Sequence, residues 1–533
     1  MLGKEFALSQ LKATVAKSNS ELERMLADLQ LAEFIYEQPA TADVEYTFKH
    51  ALTQEVAYNS ILVERRKQIH ERAAQAVELI FATSLADHYT ELAHHYQRSG
   101  NATKAVKYLH LAAQQAMSLA AYAEGSVQLT SALELLSTQP DEVERDRAEI
   151  AVRLSLAVCV MMSSAGGLAS TAVLEILERA RHLCEKIGDD VRLFEVLENL
   201  SFQHSGQSAL PKAQSLGSEL LRIALRVEDP VMVGRARFDL GRTSMWVGNF
   251  IAARQEFDLA SKVPTDGRSK EEMSFGNWRV RNRSLASLTS WILGFAEQAK
   301  VINRESLGIA REMIASPADL IFALFWSAVL SLRLGDPETA RSQCEEAIRL
   351  LHERGLVSFF DLNGFWRGWA VAQLGQVEQG LSEMLQRGMG FATASGVIRP
   401  LICEGLANIY LADGRRAEGL REVSDALEVI QHSGTTIVEA ELRRLKGELL
   451  LIGNNGTEPE AAQCFRDAIE VARRQSAKSW ELRATMSLAR LLNNQGRHDE
   501  ARAMLTDVYN WFTEGFDTVD LKDAKTLLGE LAG

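Results

Sequence analysis

The stretch Leu401–Ile430, LICEGLANIYLADGRRAEGLREVSDALEVI, decides the architecture. Leu406, Ala407, Tyr410 and Leu411 recur at helical spacing, Gly414 stops the run, and Gly419, Val423, Ala426 and Leu427 line a second helix. The segment therefore reads as one helix–turn–helix hairpin. The same grammar returns as Leu240, Gly241, turn Gly248, Ala253, Phe257 and Ala260, then as Ala328, turn Gly335, Ala340, Cys344 and Ala347. It returns again as Leu488, Ala489, turn Gly496, Ala501, Leu505 and Val508, and an early copy has Leu92, Ala93, Tyr96, turn Gly100, Ala105, Leu109 and Ala112. Weaker copies turn at Gly294 and Gly375, and another uses Gly447, Leu450, a loop over 453–456, Phe465 and Ala468.

This placing of small and large residues resembles the tetratricopeptide repeat, in which small residues let two helices approach and large ones fill the gap between hairpins. The period of about 40 exceeds the usual 34, implying longer helices or loops. The expected fold is all-α: a right-handed solenoid over 81–533 whose concave surface takes protein partners or a small-molecule effector, preceded by a small domain over 1–80. Phe325, Trp326, Phe359, Phe360, Phe365, Trp366 and Trp369 crowd the middle of the array, either as core or as a ligand-facing patch.

Composition agrees with helix nearly throughout: nine prolines and 7% aromatics in 533 residues. A net charge of −13 argues against nucleic acid as a partner of the whole chain. The two densest basic spots, Glu64–Lys67 and Trp278–Arg283, read as solvated helix faces. Cys159, Cys184, Cys344, Cys403 and Cys464 are scattered without CxxC spacing, which points to buried thiols in a reducing cytoplasm rather than to zinc knuckles or disulfides. MLGKEFALSQ has no secretory pattern, so a cytoplasmic protein is expected. Leu154–Leu174 is long enough to span a bilayer and free of charge, but Gly166–Gly167 and its serines read instead as two short helices joined by a turn.

Residues 1–80 depart from the repeat. Phe6–Ala13 and Ser20–Leu31 read as amphipathic helices; Phe34–Glu37, a turn containing Pro39 and Glu45–Phe48 read as a β-hairpin. Helix, helix, hairpin, helix is the grammar of a winged helix. Its second helix, SELERMLADLQLAEF, is acidic and offers few donors to base edges, which argues against DNA binding.

Across the chain, GKEFALSQL, LAEFIYEQP, YTFKHALTQEVAYNSILVERRKQIHERAA, LAHHYQRSGNATKAVKYLHLAAQQA, EAELRRLKGELLL and the block from WELRATMSLARLLNNQGRHDEARAMLTDVY to LKDAKTLLGEL resemble the C-terminal half of bacterial predicted ATPases of the STAND class. Those ATPases are fused to class III adenylate/guanylate cyclase domains. The resemblance implies a regulatory role. It also implies that His50, opening the helix after the wing, matches the histidine of the Met-His-Asp motif that reaches the β-phosphate of ADP in the inactive state. Lys49 and Ala51 depart from that motif, and the residues alone equally allow His50 to cap its helix or pack under the wing.

No GxxxxGK[ST] loop, magnesium-binding strand end, cyclase aspartate pair or GxSxG is present, so no catalytic residue is expected in this chain, and ATP or ADP would belong to a domain supplied by a longer chain or a partner. His88, Glu91 and His95, with His94, share a helix face, but the spacing is not HExxH and no metal site is expected. The leading expectation is a regulatory and interaction module. The alternatives are part of an active ATPase or cyclase completed elsewhere and, more weakly, a MalT-like transcriptional regulator.

Overall fold

The computed structural model describes residues 1–15, 17–38, 43–163, 170–264, 276–312, 317–354, 362–392, 396–453 and 456–532. Among these are 26 α-helices and three short strands, and the chain packs as two units, Met1–Val160 and Met161–Gly533.

The first unit opens with β1 (Glu5–Ala7) and α1 (Leu8–Thr14), where the periodicity predicts one helix from Phe6. The difference is non-local: β1 pairs antiparallel with β3 (Glu45–Phe48), and Phe6 stacks on Tyr46 with ring centroids 5.8 Å apart. A helical pattern as short as Phe6–Ala13 cannot outweigh a strand partner some forty positions away. β2 (Ile35–Gln38) pairs with the other edge of β3, giving the expected hairpin and the sheet order β1-β3-β2. The turn with Pro39 lies outside the described residues.

α2 (Asn19–Leu31) is entered by Ser18, whose side chain accepts the Glu21 N–H, and it lays Leu22 and Leu26 on Ile35 and Tyr46. α3 (Ala51–Asn59) and α4 (Val63–Ile80) follow, then the first repeat hairpin, α5 (Tyr89–Ser99) and α6 (Ala102–Ser118). Arg65 and Lys67 on α4 are exposed, as a solvated face requires.

The second unit is a tetratricopeptide-like α-solenoid. Its hairpins are 190–206/210–227, 230–246/250–261, 278–292/296–312, 317–333/337–354, 362–373/377–392, 399–412/416–433, 439–451/458–474 and 478–494/498–509, with Val519–Glu530 as a closing helix. The first helix of each hairpin packs both on its own second helix and on the first helix of the next. The small-residue rule is obeyed at close range: a Cβ on Gly241 would sit 2.6 Å from the Phe257 ring. Leu406, Ala407, Tyr410, Gly419, Val423 and Ala426 are all buried, as the opening hairpin requires. Ala407→Trp is accordingly expected to cost about 1–3 kcal/mol by overpacking two helices. Thermal unfolding that does not change would show that the register assigned to this hairpin is wrong.

The solenoid curls back on itself. The Gly396 N–H donates to the Gly206 carbonyl, Thr436 N–H to Trp246, the Ser479 hydroxyl to Trp291 and the Arg483 guanidinium to Arg333. These partners stand in the same order along both segments, so later hairpins return against the loops of earlier ones. At Gly294 the return is tight: φ is +98°, and a Cβ would meet Trp511 at 2.6 Å. The consequence reaches Trp278–Ile292, where every residue except Arg279 and Arg283 is buried. Trp278–Arg283 is therefore not the solvated basic face its charge density predicts, because one side of this helix packs within its hairpin and the others under neighbouring helices.

All five cysteines are buried and unbridged, as expected. Gly166 and Gly167 lie outside the described residues, while the flanking helices, Val143–Ser163 and Thr171–Ile187, are longer than the two short helices expected. No helix among the described residues is long and apolar enough to cross a membrane.

Candidate functional site

His50 follows β3 directly and occupies the N-cap position of α3, with extended backbone at φ −132° and ψ 131°. Its carbonyl accepts the Thr53 N–H at 3.1 Å, but its imidazole makes no capping bond to the helix and is exposed. The helix begins there with unpaired N–H groups and the positive end of its dipole, a setting that favours an anion. Because the ring is exposed and does not cap, His50→Ala is expected to change unfolding free energy by less than about 0.5 kcal/mol. A loss well above 1 kcal/mol in a denaturant titration would give His50 a structural role instead.

α3 also carries Tyr58, whose hydroxyl lies 3.1 Å from His70 Nε2 on α4. His70 Nδ1 is in turn 2.9 Å from His95 Nδ1 on α5. Burial, followed by the neighbouring imidazoles, pushes His70 down to about 3, and burial with His94 pushes His95 down to about 4, so both rings are neutral near pH 7. One proton must then lie between the two Nδ1 atoms. Placed on His70, it lets His70 Nε2 accept from Tyr58 and leaves His95 Nε2–H facing Glu91 Oε1 at 4.0 Å. Placed on His95, it would aim a lone pair at the Glu91 carboxylate, so the first arrangement is the satisfied one.

Glu91 also receives His88, with Nδ1 to Oε2 at 2.9 Å. His88, Glu91 and His95 thus meet as the spacing predicts, His88 by a hydrogen bond and His95 by facing the same carboxylate at 4.0 Å. The reading of the sequence missed His70: α4 precedes the repeat, and nothing in QIHERAA marks which residue of α5 it will face.

The inner helices of the second unit carry a ladder of buried and half-buried charges. Arg235 grips Glu198 through two bonds, at 3.0 and 2.5 Å, and Ser201 donates to Asp239 at 2.6 Å. Arg333 pairs through both terminal nitrogens with Glu404, its guanidinium 5.2 Å from the Trp369 ring and 5.3 Å from Trp480. Arg444 grips Glu441 at 2.7 and 2.9 Å, and Arg483 grips Asp520 at 2.9 and 3.0 Å. Burial raises Glu404 above the ordinary carboxylate range in spite of Arg333, whereas at Glu441 the same burial is outweighed by Arg444, Arg483 and Arg333, which bring it down to about 2. Arg281, wholly enclosed over the Phe322 ring, is pushed down to about 10 by desolvation.

Phe325, Trp326, Phe365, Trp366 and Trp369 are buried and form one chain of ring contacts, so these members of the aromatic cluster are core. Phe359 and Phe360 lie outside the described residues. The indole N–H groups of Trp326, Trp366, Trp369 and Trp480 have no acceptor among the described residues. Where the loop after Gly206 meets the hairpin 399–412/416–433, an open cavity of about 560 Å³ is lined by Ser208, Arg399, Asp425, Glu428 and His432. Arg399 reaches Asp425 at 3.5 Å there, leaving a rim of both signs.

The fold and its small-residue packing define a protein of the tetratricopeptide-like solenoid class. A model of the tetratricopeptide repeat matches residues 482–505, within the hairpin that turns at Gly496. A protein of Rhizobium meliloti (strain 1021), described as uncharacterized, is 23% identical over 460 residues, covering 84% of this chain and 43% of that protein. The chain thus spans less than half the length of the curated relative it matches. Among solved structures, yeast Tom70 aligns over 91% of this chain and 96% of its own at 13% identity and a TM-score of 0.35. Rap protein complexed with competence and sporulation factor aligns over 80% and 99%, at 11% identity and a TM-score of 0.39.

Proposed function

We propose that this chain is a regulatory and protein-interaction module of a signal-transducing ATPase of the STAND class, coupled to adenylate or guanylate cyclase output, and that it performs no catalysis itself. The solenoid takes up a protein partner or a small effector. The segment over 1–80 acts as the winged helix, with His50 presented to the β-phosphate of ADP held by a nucleotide-binding domain. The module works in the cytoplasm.

The observation that carries this reading is the seam where the solenoid returns on itself. It is held by hydrogen bonds between the two segments and by ring packing such as Trp291 on Trp480, and the cavity at Ser208, Arg399 and His432 opens on it. A ligand that bound better with the seam parted than with it made would shift the balance between the two arrangements. The exposed His50 and the matched stretch covering only 43% of a longer relative are consistent with a partner domain beyond these residues.

The test uses an antibody against Leu401–Gly533 on native cell extract. A polypeptide much heavier than 59.0 kDa, purified with ADP that His50→Ala releases, is the expected result. A 59.0 kDa polypeptide that cross-links to no nucleotide-binding protein would overturn the ATPase part of the reading.

A further inference from the structure

His70, His94 and His95 stand around one point. Their ring centroids are 5.2, 5.4 and 5.8 Å apart, and one ring nitrogen of each lies within 4.8 Å of the others. A tetrahedral zinc ion at 2.0–2.1 Å from imidazole nitrogens sets those nitrogens about 3.3 Å apart and the ring centroids about 5.2 Å apart. The ring centroids already stand at nearly that spacing. His70 Nδ1 and His95 Nδ1, now at 2.9 Å, need to part by only a few tenths of an ångström, and the exposed His94 ring is on the surface, where it can turn inward.

We propose that His70, His94 and His95 form a binding site for a divalent cation of the zinc class, with three imidazole ligands and a fourth position open to water. An all-nitrogen donor set selects zinc or its borderline neighbours over magnesium and calcium, which require oxygen. The outer shell is in place: Tyr58 Oη stands at His70 Nε2, and Glu91 faces His95 Nε2. Such partners fix ring orientation and tautomer in histidine metal sites.

The protons balance without an external acid or base. His70 exchanges its Nδ1–H tautomer for the Nε2–H tautomer, donating to the Tyr58 oxygen in place of accepting from it. His95 keeps its Nε2–H toward Glu91, and both Nδ1 lone pairs are then available to the ion. The bound cation would tie α4 to α5 directly and to α3 through Tyr58. This assignment is independent of any nucleotide role for His50.

The full chain titrated with Co²⁺, and then with Zn²⁺ in competition, tests it. Expected are one equivalent bound with a Kd below about 10 µM, the visible bands of four-coordinate cobalt without the strong thiolate charge-transfer band, and displacement by zinc. His94→Ala, at an exposed position, and Glu91→Gln are each expected to weaken binding at least about tenfold, while His498→Ala, on an exposed ring in the other unit, leaves it unchanged. Binding that His94→Ala does not alter, a thiolate or six-coordinate spectrum, or no saturable binding below about 100 µM would overturn the site.

Discussion

Arg333→Met is expected to destabilise the Met161–Gly533 unit by about 3–5 kcal/mol, because it strands the Glu404 carboxylate, which has no exposed surface, without its partner. The two side chains lie on inner helices of different hairpins, and desolvating both charges is tolerated only while the bidentate pair exists. The double variant Arg333→Met/Glu404→Leu removes both charges together and is expected to recover most of the loss. Urea unfolding of the two proteins checks it. A single variant within about 1 kcal/mol of the parent would mean that Glu404 takes up a proton once Arg333 is gone, or that water reaches it.

Trp480→Ala is expected to cost about 3–5 kcal/mol, and its effect should concentrate at the seam. The indole is 1% exposed, meets Trp291 edge to face at 4.8 Å, and is flanked by the Arg333 and Arg483 guanidinium groups. Beside it, Ser479 donates to the Trp291 carbonyl at 2.5 Å across 188 residues of sequence. Truncation removes a large apolar body and two cation–π contacts together. Hydrogen exchange should therefore rise at 291–298 and 511–517 more than within either hairpin, and an equal rise everywhere would mean that the seam is not a separable element.

Much of the repeat could be read from the chain because its rules are local. A small residue at Gly241 and a large one at Phe257 are sixteen positions apart, and a turn glycine between them fixes the hairpin; helical spacing reports all three. The buried cysteines and the buried Phe325–Trp369 cluster follow from the same periodicity. β1 was not legible, since Phe6 becomes a strand only by pairing with Tyr46. The burial of Arg281 was not legible either: WRVRNR looks like an exposed basic run until other helices close over it. Among candidate site residues, Glu91, His94 and His95 share α5 with His88 at its N-cap and could be grouped in advance, whereas His70 joins them only through the packing of α4 on α5.

Local pattern in the chain was enough to give a helical array of hairpins of about forty residues, the turns at Gly100, Gly248, Gly294, Gly335, Gly375, Gly414 and Gly496, the short hairpin that precedes His50, and the small-against-large packing inside those repeats. The tertiary structure alone decided that the array returns on itself, that Arg333 meets Glu404 and Trp480 meets Trp291, and that three imidazoles from two helices converge. The physical reason is range. Helix, turn and intra-hairpin contacts are fixed by neighbours a few residues away, whereas curvature accumulates from small rotations between successive hairpins, and no single residue records the sum.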